Sequence, residues 1–181
     1  MTNPPPPDFT KSGGSQAETV PGGLGARFSA RLIDGVLLLL VNFTVVSLIV
    51  RVGFGIGPTE KISADTAAGI GAVTALVSAL IYVGYFTLLE STRGQSVGKM
   101  VMRLRTVGPD GGVPTRKEAL RRNLFMGYPL LAAIPGIGGL IGLGALLAGG
   151  LMIAVGISND PVRRQGWHDR FAGGTTVIRL R

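Results

Sequence analysis

Three long stretches without a single charge dominate this sequence. Gly35–Val50 holds 16 uncharged residues, Ala67–Leu89 holds 23 and Leu124–Ile157 holds 34. A helix rises about 1.5 Å per residue, and the hydrocarbon core of a bilayer is about 30 Å thick. The second run is long enough to cross with some tilt. The first reaches only roughly 24 Å, so Asp34 or Arg51 must sit at or just inside the boundary. Arg51 can snorkel on its long stem, whereas Asp34 has almost none. With its flanks, the first span is predicted over about 32–53. The third run would give a single helix of about 51 Å, far more than one crossing needs. Pro135-Gly136-Ile137-Gly138-Gly139 interrupts it, and proline breaks a helix interior. The prediction over 124–157 is a broken helical hairpin with arms Leu124–Ile134 and Leu140–Ile157. The first arm is expected to enter only partway.

Composition narrows the class further. Charged residues make up 15% of the chain, against about 25% in soluble domains. There is no cysteine and one histidine, which argues against a disulfide framework, thiolate chemistry and a Cys- or His-rich metal site. Gly69, Gly71, Ala72, Ala75 and Ala79, and then Gly138, Gly142, Gly144, Gly149 and Gly150, offer small faces for close helix packing. Tyr82, Tyr85 and Phe86 are expected as interfacial anchors. The fold expected is an all-α membrane protein: two full transmembrane helices, a Gly-rich broken hairpin and a small cytoplasmic β element.

The hydrophilic segments complete this reading. Residues 1–26 read as a Pro/Gly-rich disordered tail, not a leader, because the first apolar run starts only at Leu32. The membrane domain is placed at 27–181. Lys99–Val107 reads as a strand, and Pro109-Asp110-Gly111-Gly112 as a turn. Thr115-Arg116-Lys117-Glu118 fits a capping box that starts a helix. Thr175–Leu180 is strand-like and is a candidate partner for Lys99–Val107.

Lysine and arginine distribute unevenly: three in the N-terminal segment, two in 51–66, eight in 90–123 and five in the tail. The positive-inside rule places the N-terminus and the 90–123 loop in the cytoplasm. Five tail arginines belong there as well, which requires an even number of crossings. The expected location is the inner (plasma) membrane, multi-pass. The basic loop reads as an orientation signal and a contact for anionic lipid headgroups. The chain carries a net charge of +8, yet no nucleic-acid recognition motif accompanies it.

Four motifs occur in order. Arg27-Phe-Ser-Ala30-Arg31-Leu-Ile-Asp34 opens the first span, and Gly94-Gln95-Ser96-Val97-Gly98-Lys99 follows the second. Ala119-Leu120-Arg121-Arg122-Asn123-Leu124 follows the turn, and Trp167-His168-Asp169-Arg170-Phe171-Ala172-Gly173-Gly174-Thr175 closes the chain. Together they resemble the RDD family of small membrane proteins over roughly 24–180. The family is named for one arginine and two aspartates, which the resemblance places on Arg27, Asp34 and Asp169. It implies a membrane fold, with transport as the suspected activity. The glycine before the threonine is usually single in the family. Here it is doubled as Gly173-Gly174, which is expected to shift the register of the last strand.

The candidate site is therefore the charge cluster Arg27, Asp34 and Asp169, supported by Arg31, Arg121, Arg122 and His168. Asp34 is the prime candidate for a cation or proton ligand, since ionisable groups in spans are costly and often functional. Its bland alternative is an i,i+3 pair with Arg31 at the helix end. Arg27 and Asp34 lie seven residues apart, about 10 Å along a helix, too far to meet directly. The economical arrangement pairs Arg27 with Asp169 and leaves Asp34 to Arg31, Arg121 or Arg122. His168 is read as a hydrogen-bonded interfacial residue beside Trp167, itself an anchor. Gly94–Lys99 lacks the phosphate-loop spacing. No cofactor, metal or catalytic constellation is expected, and the chain does not read as an enzyme. Two readings stand: ion- or proton-coupled transport, or a membrane anchor or accessory subunit whose cluster clamps the tail. Either is expected as a homo-oligomer or beside a larger membrane partner.

Overall fold

The computed structural model describes residues 20–57, 59 and 61–180. Two strand residues, β1 (Val20–Pro21), precede α1 (Leu24–Leu48), which continues into a single π-turn over Ile49–Gly53. The chain returns through α2 (Ala64–Arg93), a short α3 (Val97–Val101), β2 (Leu104–Val107) and α4 (Arg116–Asn123). A 3₁₀ segment (Leu124–Ala133) leads to α5 (Gly138–Ser158), α6 (Trp167–Phe171) and β3 (Thr176–Arg179). The expected tail thus falls in two parts: 1–19 lie outside the described residues, while 20–26 form β1 and the start of α1.

Among the described residues, three helices are long and apolar enough to cross a membrane: Leu24–Gly53, Ala64–Arg93 and Gly138–Ser158. Their outer faces stay apolar and exposed, as at Leu40, Phe43, Leu80 and Leu147. Such faces mark contact with lipid or with another apolar surface. The first span begins at Leu24 rather than near Leu32, so Arg27 and Arg31 lie inside the helix.

Local signals set the boundaries. Ser63 caps α2 by accepting from Thr66 N at 3.2 Å. Gly94 ends it in the left-handed region at φ 70°, where glycine carries no Cβ penalty. The predicted capping box is present: Thr115 Oγ1 accepts from Glu118 N, and Glu118 accepts from Thr115 N. The predicted strand from Lys99 is shortened to 104–107, because Ser96 caps a turn of helix at Val97–Val101. The first hairpin arm is 3₁₀, not α. Pro129 lies within it and denies it a backbone donor. Gly136 turns the chain at φ 81°.

Of the glycines predicted to pack closely, Gly138 and Gly142 do so, whereas Gly69, Gly71, Gly144 and Gly150 have open space where a Cβ would stand. A Cβ on Gly138 would collide with the Leu131 carbonyl, and one on Gly142 would lie 3.3 Å from the Tyr128 carbonyl. The 3₁₀ arm is thereby held against α5 on one side. On the other it packs against α2, where Tyr82 meets Tyr128 edge-on at 6.1 Å. Tyr82 and Tyr85 are internal contacts rather than the expected interfacial anchors.

The sheet ties the hydrophilic segments together in the order β1-β3-β2, with both pairings antiparallel. Leu104 faces Arg179 and Val107 faces Thr176, so the expected pairing of the loop strand with the tail is present. The doubled glycines, Gly173 and Gly174, both adopt positive φ in the turn before β3. Ala30, Leu104 and Val177 form a small buried core beneath the sheet. This sheet fixes the architecture: it gathers the start of α1, the segment after α2 and the segment after α5 at one end of the bundle.

Candidate functional site

At that gathered end, beside the small apolar core, lies a layer of charge. Asp34, Glu90 and Asp169 are each fully buried, and Lys99, Arg122 and Arg27 are nearly so. A buried charge is tolerated only when paired and hydrogen-bonded. Glu90 and Asp169 meet both conditions, and Asp34 meets the second alone.

Asp169, in α6, is held by four residues, from α1, from α4, from its own helix start and from the turn before β3. Its Oδ2 receives Arg27 Nη1 at 3.3 Å and the Gly166 amide at 3.0 Å. Its Oδ1 receives Arg122 Nη1 and Thr175 Oγ1. Arg27 also donates to the carbonyls of Gly22 and Val177, at 2.9 and 3.3 Å. One guanidinium therefore binds α1 to the tail and to the sheet. Burial alone would raise the Asp169 carboxyl, but the arginines Arg122 and Arg27 overturn this and hold it below its ordinary range.

Glu90, in the last turns of α2, is the second node. Lys99 Nζ lies 2.5 Å from Oε1, and Asn123 Nδ2 donates to Oε2 at 3.0 Å. Arg122 Nε lies 3.2 Å from Oε2, so Arg122 bridges the two carboxylates. Arg31 reaches the same node: Nη2 donates to Asn123 Oδ1 at 3.0 Å and lies 4.0 Å from Glu90. Its guanidinium covers the Phe86 ring at 4.0 Å, a cation–π contact. Lys99 donates as well to Thr106 Oγ1 at 2.7 Å. Burial pushes the Lys99 ammonium down to about 7, against the pull of Glu90.

Asp34 stands apart from this network. It makes no ion pair among the described residues. Its Oδ1 accepts from Tyr85 Oη and from the Gly98 amide, both at 2.7 Å, and its Oδ2 accepts from Ser96 Oγ at 2.5 Å. The expected partners Arg31 and Arg122 are committed to Glu90 and Asp169, and Arg121 is exposed. The physical reason is packing. Gly98 brings α3 directly onto α1, and a Cβ there would collide with the Ala30 carbonyl. That close approach delivers backbone and hydroxyl donors to Asp34 before any cation can reach it.

His168 is buried, with Phe125 and Trp167 edge-on to its ring at 5.7 and 6.2 Å. Its Nδ1 has no hydrogen-bond partner, which corrects the expected hydrogen-bonded interfacial histidine. Burial pushes its pKa down to about 3, so it is neutral at physiological pH. Trp167 donates to the Gly149 carbonyl at 3.4 Å, which makes it a link to α5.

Of the predicted cluster, the structure brings Arg27, Asp169, Arg122 and Arg31 together, sets His168 Nε2 3.7 Å from Asp169 Oδ1, leaves Asp34 in the layer without an ion pair and leaves Arg121 exposed. Sequence reasoning missed Glu90, Lys99 and Asn123. Glu90 is the first charge after the 23-residue apolar run, and Asn123 is the last polar residue before the third. Each therefore marks a place where a span meets the polar end of the bundle.

The model of the RDD family matches residues 21–173. The chain belongs to the RDD family. No match was found among the curated proteins or the solved structures. Of the three residues on which the sequence resemblance placed the family's signature, Arg27 and Asp169 form a direct pair, while Asp34 fastens α3 to α1. The three are thus two separate fastenings at one end of the bundle. Among the described residues no group of three or more His, Asp or Glu side chains is arranged to hold a metal ion.

Proposed function

We propose that this RDD protein is a non-catalytic membrane module, an anchor or accessory subunit whose buried charge network clamps the C-terminal tail to the helix bundle. One observation carries the reading. All three buried carboxylates have their oxygens engaged by donors from other segments of the chain. A cation entering this layer must displace internal hydrogen bonds to reach a carboxylate, whereas a clamp uses them as they stand. The apolar outer faces are then available to a second copy or a larger membrane partner.

The reading includes a topology with an even number of crossings and with both ends of the described chain in the cytoplasm, in the plasma membrane. Support comes from the positive-inside bias and from the sheet that joins β1, β2 and β3. The 3₁₀ arm spans only about 20 Å at ~2.0 Å per residue, so it enters the bilayer and α5 returns. The chain has no native cysteine, so each introduced one reports alone. In intact cells, Thr59→Cys should react with an impermeant maleimide and Asp110→Cys should not. Labelling of Asp110→Cys refutes this orientation.

Proton-coupled transport is the second reading, and Lys99 is what favours it. An ammonium near 7 can exchange a proton at physiological pH. Purified protein in liposomes under a pH gradient separates the two readings. The clamp predicts no sodium, potassium or proton flux above empty liposomes. Flux that disappears in Lys99→Met overturns the clamp in favour of transport.

A further inference from the structure

The charge layer has a second side. A cavity of about 500 Å³ lies between α1, α2, the 3₁₀ arm and α5. Binding sites for organic molecules commonly occupy about 300–1,000 Å³. Its walls are apolar, with Leu38, Phe86, Met126, Leu146 and Ile153 among them. Its charged lining consists of Arg27, Arg31, Lys99 and Arg122. No carboxylate lines it: Asp34, Glu90 and Asp169 lie behind the cations. Four cations meet three buried carboxylates, so the layer carries one uncompensated positive charge while all are ionised. Arg31 Nη1 is buried and has no hydrogen-bond partner. Phe28 and Leu39, exposed on α1, also line the cavity. The cavity is therefore continuous with the apolar outer face of the helix.

We propose that this cavity binds one anionic phospholipid, with the phosphodiester on the Arg27–Arg31–Lys99–Arg122 floor and acyl chain along the apolar wall. A phosphodiester carries one negative charge, which matches the surplus. It also offers acceptor oxygens to guanidinium donors, the geometry in which arginine is strongest. A lipid tail leaves through the α1 face into the bilayer, where a soluble anion would leave that wall bare. The site is distinct from the basic surface of the 90–123 loop, which meets headgroups from outside. It stands whether the charge layer is a clamp or a transport site.

Two glycines permit a test that leaves the charge network intact. Gly35 on α1 and Gly150 on α5 both line the cavity, and a Cβ on either meets nothing within 4 Å. Leucine is also the better helix former. Full-length protein would be exchanged into mixed micelles holding phosphatidylglycerol and phosphatidylcholine at equal mole fraction. Bound lipid would be counted by native mass spectrometry, with gel filtration confirming fold. The expected result is a single retained phosphatidylglycerol in preference to phosphatidylcholine. Gly35→Leu and Gly150→Leu should each reduce it about tenfold or more. Arg31→Gln, which removes a charge-assisted contact, should reduce it about tenfold. Lys117→Gln, on the exposed first turn of α4, should leave it unchanged. The proposal is overturned if the two lipids are retained equally, if both leucine variants keep the bound lipid, or if only Lys117→Gln loses it.

Discussion

Neutralising Asp169 and neutralising Asp34 should have very different costs. The substitutions are chemically identical, Asp169→Asn and Asp34→Asn, and both sites are fully buried. At Asp169 neither orientation of the amide works. Turned one way, its NH₂ faces Arg122; turned the other, it faces Arg27 and the Gly166 amide. Arg122, Arg27 and the Gly166 amide only donate; the Thr175 hydroxyl, which also meets Oδ1, could take one amide hydrogen, but the NH₂ would still face a guanidinium in either orientation. Two buried guanidiniums also lose their shared counter-ion. Removing one partner from a buried ion pair costs about 3–5 kcal/mol. At Asp34 the amide oxygen can keep Tyr85 and Gly98, and the NH₂ can turn to Ser96 Oγ, a hydroxyl that also accepts. The loss there is the charge assistance, about 1–2 kcal/mol. For a chain of 150–250 residues each kcal/mol moves the melting temperature by about 2–4 °C. Asp169→Asn should therefore melt roughly 6–20 °C below the parent, and Asp34→Asn roughly 2–8 °C below. Detergent-purified protein can be followed through Trp167, the single tryptophan, which sits beside Asp169 in α6. Equal losses in the two variants, or a smaller loss for Asp169→Asn, would refute the assignment of Asp169 as the clamp.

Two further outcomes follow from the geometry. Gly98→Ala forces a methyl into the Ala30 carbonyl and should cost about 1–3 kcal/mol, the usual range for overpacking, read as a lower melting temperature. A melting curve unchanged from the parent means α3 does not dock on α1. Stability should also fall on acidification below about 6.5, because the unfolded chain protonates His168 there while the folded chain holds it neutral to about 3. By the same linkage stability should rise from about pH 7 towards 10.5, where the unfolded chain still holds the Lys99 proton that the folded chain has released. Each group contributes a slope of at most about 1.4 kcal/mol per pH unit. His168→Gln should remove the part of the acid slope that lies above the carboxylate range, below which Asp169 contributes as well, and Lys99→Met should remove the alkaline slope in melting series across pH; slopes unaltered by these changes would contradict the burial argument.

The sequence by itself determined that this chain belongs in a bilayer. Runs of 23 and 34 uncharged residues have no other low-energy environment, and length against bilayer thickness is arithmetic. It also determined the punctuation. The capping box at Thr115, the break at Pro135-Gly136 and the close packing at Gly138 and Gly142 are local. The cap and the break depend on residues within a turn or two, and the glycines pack across that break onto the arm just before it, so each was legible. The Arg27–Asp169 pair could be read as well, since a buried arginine and aspartate seven or more residues from other candidates need partners from afar.

Tertiary structure decided which charges share a layer. Glu90, Lys99 and Asn123 come from three segments, and nothing in their spacing says they meet. Only the antiparallel register of β2 and β3 and the docking of α3 through Gly98 bring them together. Asp34 shows the same lesson in reverse. Its sequence neighbours are arginines, and pairing with one was the natural expectation. A bare glycine backbone approached more closely than any arginine could, and the carboxylate took neutral donors. Burial then set the protonation of Lys99 and His168, because the cost of desolvation depends on what surrounds a group in space and not on what flanks it in the chain.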